Sequence, residues 1–483
     1  MKVKDVIVVG AGIAGCAVAL ALAKRGVPVT LMTSSFDQRS YHAPFIQHEL
    51  LEERVRKLQE GGQDQMGCAH ASAQLAMLAR RSIDELLESH YLVDRNGSID
   101  IHRCLQEQLR QFTNVEWIAN HSLIELLTLH KHSKKIGDIY KRPTCLGVAI
   151  YHHEVQKVER ILAKEVILAT GGASSLFPYS THPSMVRGEG MAIASQAGAR
   201  LLNMEQIQFH PIGLFEKDKP CFPLPLELLE EGGKLHAVHT LPPEDIQLHR
   251  ELSYQIYEIL LKNGVEHLWL DLTMLDAAKL KEKFPSIDAY CLSRGFNIAK
   301  DPLPVVPVAR YTGGGIATER TGQSSLQRLR ALGEVACTGL FYPFRDESIN
   351  VLESLTWALT CAEDIAKHLS KFIYYFPEIK ETAYAIEGGA GIIEEDWRLL
   401  RQIMWHYVGI KRDKQRLKRG CAMLEQLLAA NAASEQPFSI DQIHLSNAIQ
   451  SALLIARAAR QAQAEVSADV LLNDPHFYQI STH

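Results

Sequence analysis

Residues 6–24 read Val6-Ile-Val-Val-Gly10-Ala-Gly12-Ile-Ala-Gly15-Cys-Ala-Val-Ala-Leu-Ala-Leu-Ala-Lys24, and this stretch decides the fold. Val6 to Val9 is a short apolar run of the kind buried on both faces of a parallel sheet. Three glycines follow at the spacing GxGxxG, then a small, apolar helical segment that stops at Gly26. Gly10 is expected to make the tight turn, Gly12 to let the backbone approach a pyrophosphate, and Gly15 to let the helix pack on the strand. Ala11, Ile13 and Ala14 complete a loop whose bare amides open the helix and favour phosphate. A second apolar run, Val29 to Met32, supplies the strand that the motif requires next. It ends in Thr33 and Ser34 rather than in Asp or Glu. Hydroxyls can hold an adenosine ribose, but without the carboxylate the simplest criterion for an NAD site fails. The identity of the dinucleotide has to come from elsewhere in the chain.

The 483 residues, 46% of them hydrophobic, are enough for two or three domains. A net charge of -5 and the lack of a basic stretch interleaved with aromatics argue against nucleic acid. No apolar run approaches the roughly 20 residues that cross a bilayer, so no membrane is expected. The first strand begins so early that no signal peptide is expected. Nine cysteines are scattered without a CxxC pair, which suits reduced thiols in the cytoplasm.

Working outward, helical spacing predicts helices over Ile46–Lys57, Ala71–Glu88 and Ile99–Gln111, with Val115–Ile118 as a strand. Two short strands between Gly147 and Ala163 are expected to form a hairpin. Lys131–Arg142 is basic and is read as a solvated turn. Lys164–Leu168 is a further apolar strand, ending in Ala169-Thr170-Gly171-Gly172, which turns against the first glycine loop. From Phe215 to Pro243 the chain becomes rich in Pro, Gly, Glu and Leu, followed by a helix over Glu251–Lys262, a strand at Leu268–Leu272 and a helical hairpin ending near Gly295. From Glu395 to Val466 the pattern is helical. Trp397, Leu400, Met404, Tyr407 and Val408 recur at helical spacing, a stripe that reads as core packing.

The motifs after Leu168 carry a resemblance. ATGGAS at Ala169–Ser174, GEG at Gly188–Gly190, AGARL at Ala197–Leu201 and QFHP at Gln208–Pro211 resemble the flavoprotein family of succinate dehydrogenase, fumarate reductase and L-aspartate oxidase. PVVPVA at Pro304–Ala309, RYTGGGI at Arg310–Ile316, the Gly333-Glu334-Val335 turn and MWHYVGIKR at Met404–Arg412 are similar to the L-aspartate oxidase branch. The resemblance implies an α/β fold: a discontinuous Rossmann-like FAD-binding domain (residues 1–212 and 306–373), an inserted α+β capping domain (213–305) and a C-terminal helical bundle (374–483). It implies non-covalent FAD held by the glycine loop, Thr33, Ser34, Leu123, Thr170, Gly171, Glu189, Glu334, Ser348, Asn350 and Val351. Glu334 would supply the carboxylate missing after the second strand.

For the substrate, the resemblance implies a dicarboxylate clamp of His210, Arg310 and Arg345, because an Arg fork binds a carboxylate bidentately. The structural alternatives are a satisfied core histidine for His210 and a surface ion pair for Arg345. Two departures matter. The family's catalytic Arg aligns with Leu229, and its second His with Arg310. The family's Ala-Gln-Gly-Gly and Arg-Glu-Gly-Gly-His stretches also have no counterpart here. The implied activity is FAD-dependent oxidation of L-aspartate, feeding quinolinate synthase in NAD synthesis, by a cytoplasmic monomer. A fumarate-reducing enzyme, or an FAD-binding protein without oxidase activity, remains open.

Overall fold

The computed structural model describes residues 2–34, 46–59, 69–87, 98–217, 219–238, 252–340, 347–381, 393–433 and 439–465. Arg345 of the expected clamp lies outside them.

The first strand, Val3–Val9, is the centre of a parallel sheet. Val29–Met32 and then Val115–Ile118 pair on one side of it, Lys157–Leu168 and then Leu329–Ala331 on the other. The crossover helix Ile13–Lys24 is apolar all round because it is covered all round. The sheet lies beneath it, and the helices Ala69–Leu86, Ile101–Leu109 and Glu347–His368 pack around the rest. It ends at Arg25 and Gly26, where φ of +72° suits glycine.

Lys157–Leu168 is one strand of 12 residues, where the sequence reading had a hairpin strand followed by a separate one. No Gly or Pro interrupts it, so nothing breaks the extended backbone. Its first half pairs antiparallel with Cys145–His152, which pairs with His121–Thr128, and its second half pairs in parallel with Leu329–Ala331. The strand His121–Thr128 was missed. Its sequence, HSLIELLT, is half apolar, and its apolar residues fall in adjacent pairs rather than alternating because both its faces are buried.

Boundaries also moved. The expected helix Ile99–Gln111 is a strand residue followed by a helix over Ile101–Leu109, because Asp100 stops the extended run and caps the helix, accepting from the Arg103 amide at 2.9 Å. The expected helix at Ile46 likewise begins with a two-residue strand, Ile46–Gln47, pairing with Ser98–Ile99, and the helix runs His48–Gln59.

A second sheet has five antiparallel strands in the order Phe222–Pro223, Ile207–Leu214, Leu303–Thr312, Leu268–Asp271 and Lys234–His236. None of these strands belongs to the parallel sheet. One apolar cluster runs from Ile7 and Val9 of the parallel sheet, through Leu268, Leu270 and Val305, to Leu400, Met404 and Ile449 of the C-terminal helices. The stripe read as core is largely so: Leu400, Met404 and Val408 are buried, while Trp397 and Tyr407 are partly covered. Trp405, off the stripe, is buried as well. A π-helical turn over Met404–Val408 adds a residue to the helical turn and swings the indole inward, against Tyr179 and Tyr257 at ring distances of 5.0 and 5.4 Å. Among the described residues no helix is long and apolar enough to cross a membrane.

Candidate functional site

A cavity of about 750 Å³ opens at the C-terminal ends of the parallel strands, where ligands of open α/β sheets bind. The glycine loop forms one wall. Gly10 has φ +106°, its amide donates to Met32 O at 2.8 Å, and a Cβ on it would stand 2.2 Å from Ala169 O. A Cβ on Gly15 would stand 1.8 Å from Gly10 O. The two glycine segments touch backbone to backbone, and Gly15 lies beneath the cavity rather than in its lining. Gly12 is different: its φ of -74° is ordinary, and no atom lies within 4 Å of where its Cβ would be. That empty volume is cavity. No side chain caps the helix and no acid sits in its first turn, so its positive end meets the cavity unscreened.

Gly10, Ala11, Gly12, Ile13, Ala14, Thr33, Ser34, Leu123, Thr170, Gly171, Glu189, Glu334, Asn350 and Val351 all line this one cavity. Ser348 does not; it is buried in the first turn of Glu347–His368. Three of the lining side chains carry a buried polar atom without a hydrogen bond: Arg187 Nε, which lies against the Glu189 carboxylate, and two oxygens. Thr170 Oγ1 and Glu334 Oε2 are buried without a hydrogen-bond partner, and the other Glu334 oxygen lies 3.4 Å from His182 Nε2. A buried polar atom left unpaired costs about 1–3 kcal/mol, more for a charged group. A ligand offering hydroxyl donors removes that cost, which is the chemistry of a ribose or ribityl chain. The empty face at Gly12, the uncapped helix end and these orphaned acceptors together fit a dinucleotide such as FAD.

The structure adds residues that sequence reasoning missed. His102 lines the cavity and its Nε2–H donates to Ala11 O at 2.7 Å, bracing the glycine loop from the helix Ile101–Leu109. Asp441 and His444 reach the lining from the C-terminal helix Ile440–Glu465. His444 Nδ1 bonds Glu189 Oε2, and Arg187 Nε lies 3.2 Å from the other oxygen of that carboxylate. Ser451 of the same helix donates to Gly188 O at 2.6 Å. More than two hundred and fifty residues separate these partners, so no local pattern announces the contact.

His210 and Arg310 lie elsewhere, on neighbouring strands of the second sheet, and neither lines the cavity. Gln208 pairs with Tyr311 and Phe209 with Ala309, which leaves Arg310 as the extra residue of a β-bulge. Bulges re-aim side chains next to binding sites. A second irregularity sets Pro211 and Ile212 against Pro307, two positions where proline cannot donate to the ladder. His210 Nε2 donates to Leu224 O at 2.6 Å, so the ring carries its proton there and Nδ1 is left as an acceptor. Burial, and then the charge of Arg310 beside it, pull its pKa down to about 3. Without a ligand His210 is thus held toward its neutral form, its Nε2–H already given to Leu224 O. Leu229 is buried in the large apolar cluster, on the short helix Glu227–Glu230.

Comparisons with known proteins point the same way as this geometry. The family model described as FAD binding domain matches residues 5–46 and 53–351. The chain is 30% identical over 395 residues to the L-aspartate oxidase of Acinetobacter baylyi, covering 78% of this chain and 71% of that one. It is 32% identical over 367 residues to L-aspartate oxidase 1 of Ralstonia nicotianae, covering 74% and 68%. Among solved structures, the apo Mycobacterium smegmatis Sdh1 complex superposes with a TM-score of 0.77 at 22% identity, over 95% of this chain and 87% of that one. A mutant of Escherichia coli quinol fumarate reductase FrdA gives 0.73 at 19%, over 96% and 90%. At those identities the structural likeness speaks for the fold alone.

Proposed function

We propose the function that follows from one premise: the chain belongs to the FAD-binding flavoprotein family and, within it, to the L-aspartate oxidases. It binds FAD and oxidises L-aspartate to iminoaspartate. The observation that carries this reading is the cavity with its open glycine face and its orphaned Thr170 and Glu334 oxygens.

The residues assigned to FAD are those of the cavity. The loop Gly10–Ala14 and the end of the first helix take the pyrophosphate. Glu334 and Thr170 take hydroxyls, Thr33, Ser34 and Leu123 take the adenosine end, and Glu189, Gly171, Asn350 and Val351 line the remainder. Binding is non-covalent. When bound, FAD supplies the acceptor for the hydride that leaves the substrate's α-carbon. The chain's own task is to hold that carbon in place and to manage charge and protons.

Arg310 suits one substrate carboxylate, since its guanidinium binds in a fork and is always charged. Arg345 is assigned to the other by resemblance. His210, held toward its neutral form with an acceptor left at Nδ1, suits the substrate's amino group instead: it can accept an N–H there and take up the proton that the ammonium ion gives up. The carboxylates of a bound substrate oppose the effect of Arg310 and raise the basicity of that ring.

Leu229 favours a second reading, because an aliphatic side chain neither carries a proton nor stabilises developing charge. Losing one preorganised cationic group typically costs about a hundred- to a thousandfold in rate. A dicarboxylate flavoenzyme of fumarate-reductase type, or an FAD-binding protein without oxidase activity, would tolerate it. For the main reading, the product imine hydrolyses in water, so direct use by quinolinate synthase is the partner we assign, with a cytoplasmic monomer as the working form. The test is anaerobic mixing of the yellow holoprotein with L-aspartate. Bleaching of the flavin absorbance supports the oxidase; no bleaching with aspartate or any other C4 dicarboxylate sinks it.

A further inference from the structure

The basic segment read as a solvated turn is not one. Leu129–His132 is a helical turn and Ile136–Tyr140 a 3-10 helix, and a second segment, 371–380, lies antiparallel along them. Ser133 bridges Ile379, the Lys134 amide donates to Glu378 O at 2.9 Å, and the Lys380 amide donates to His132 O at 2.8 Å. Asp138, buried, accepts from Ser133 Oγ at 2.6 Å and Tyr375 Oη at 3.2 Å, which locks the two segments together. On the inner side Arg328 stacks on Tyr374 and Phe376 at 5.2 and 4.5 Å. The pair of segments is therefore a fixed platform on the flavin-binding part of the chain.

What the platform turns outward is apolar. Of the fifteen large hydrophobic side chains exposed among the described residues, six are here: Ile136 (80% exposed), Ile139 (51%), Tyr140 (86%), Phe372 (62%), Ile373 (101%) and Tyr375 (43%). Scattered single apolar residues need no explanation, but six in two adjoining segments do. The same segments carry Lys131, Lys134, Lys135, Lys141, Arg142, Lys371 and Lys380, seven cations against the carboxylates of Asp138, Glu378, Glu381 and the adjoining Glu125, on a chain whose net charge is -5. Lys131, Lys134 and Lys141 are paired to Glu125, Glu378 and Asp138. Ile373, Tyr140 and Ile136 protrude to their tips. Protruding apolar tips ringed by lysine suit the boundary between lipid headgroups and acyl chains, which needs no preformed pocket, better than the complementary surface of a protein partner.

We propose that this face seats the protein on an anionic lipid surface, Tyr140, Phe372 and Ile373 dipping into the headgroup layer while the lysines pair with lipid phosphates and carboxylates. The chain does not cross the bilayer; it lies on it. The proposal is independent of the activity, because the platform shares no residue with the FAD cavity.

The experiment is flotation of the FAD-loaded, full-length protein with vesicles of phosphatidylcholine alone or mixed with phosphatidylserine. The expected result is binding to the mixed vesicles, little to the neutral ones, and release by salt. Each lysine near an anionic surface contributes about fivefold in partitioning, so Lys134→Gln, Lys135→Gln and Lys371→Gln together should lower it about a hundredfold. Ile373→Asp with Tyr140→Asp should also abolish binding, and both sets should keep the flavin spectrum and thermal midpoint of the parent, since the altered side chains are exposed. The proposal is overturned if the parent does not float with anionic vesicles, or if both variant sets float as it does. It is also overturned if sedimentation shows the parent to be a dimer that Ile373→Asp splits, in which case the face is a contact between copies.

Discussion

At the scale of the residue, Glu334 and His210 are two ionisable groups under opposite constraints. Glu334 waits for donors: Oε2 is buried and unpartnered. Glu334→Ala should raise the Kd for FAD about ten- to a hundredfold, the worth of hydrogen bonds to a charged acceptor, as read by flavin fluorescence titration. His210 is already satisfied at Nε2 and is kept neutral. In the unfolded chain it takes a proton below its ordinary 6.5; in the folded chain it takes one only near 3. Between those values the unfolded state holds the extra proton, so this residue makes stability rise with pH, by up to about 1.4 kcal/mol per unit, and adds nothing further above 6.5. His210→Gln should flatten that slope in denaturant melts of the parent and variant across pH 4 to 7, windows in which about one proton is at stake. Arg310 stands as the bulged residue beside it. Arg310→Leu should abolish reduction of the flavin by L-aspartate without altering its resting spectrum, whereas Arg310→His should retain turnover. Equal rates in the two variants would remove Arg310 from the clamp.

At the scale of the element, the strand-loop-helix unit makes three glycines separable. A methyl on Gly10 meets the Ala169 carbonyl and sits at a φ that L side chains rarely adopt. Gly10→Ala should therefore fail to fold, or melt far below the parent. Gly26→Ala has the same kind of φ but open space around it, and should cost only about 1–2 kcal/mol. Gly12→Ala is the informative one. Its backbone is ordinary and its Cβ would project into the cavity, so the apoprotein should be as stable as the parent, or about 0.4–1 kcal/mol more so, while FAD affinity is lost. Calorimetry of the apoprotein beside a flavin titration separates the two effects. A Gly12→Ala protein that binds FAD like the parent would show that the pyrophosphate does not approach this glycine.

At the scale of the molecule, the FAD cavity is closed by a helix from the far end of the chain. His444 and Asp441 line it, His444 holds Glu189, and Ser451 holds the Gly188 carbonyl at the turn before that residue. The helical part is thus joined to the wall of the cavity rather than merely leaning on the sheet. His444→Ala should weaken FAD binding about fivefold, the worth of one hydrogen bond, with far-UV circular dichroism unchanged. Binding equal to the parent's would confine His444 to a surface role.

What the sequence determined by itself is whatever depends on neighbours in the chain. The turn at Gly10, the packing glycine at Gly15 and the apolar strand before them are local demands of backbone geometry, and they announced the dinucleotide unit and the glycine-loop wall of its cavity without any tertiary information. The Ala169–Gly172 segment was legible for the same reason. Tertiary structure alone decided the rest. The strand His121–Thr128 carries no alternation because it is buried on both faces, and the single strand from Lys157 to Leu168 changes partners half-way along without any change in its own sequence. His102, Asp441 and His444 become cavity residues only when distant helices pack. His210 looked like a cationic clamp residue. Burial and then the charge of Arg310 hold the ring toward its neutral form, while Leu224 O accepts the Nε2–H, all of it brought there by folding: a side chain's charge is set by what surrounds it, and its surroundings are not written beside it in the sequence.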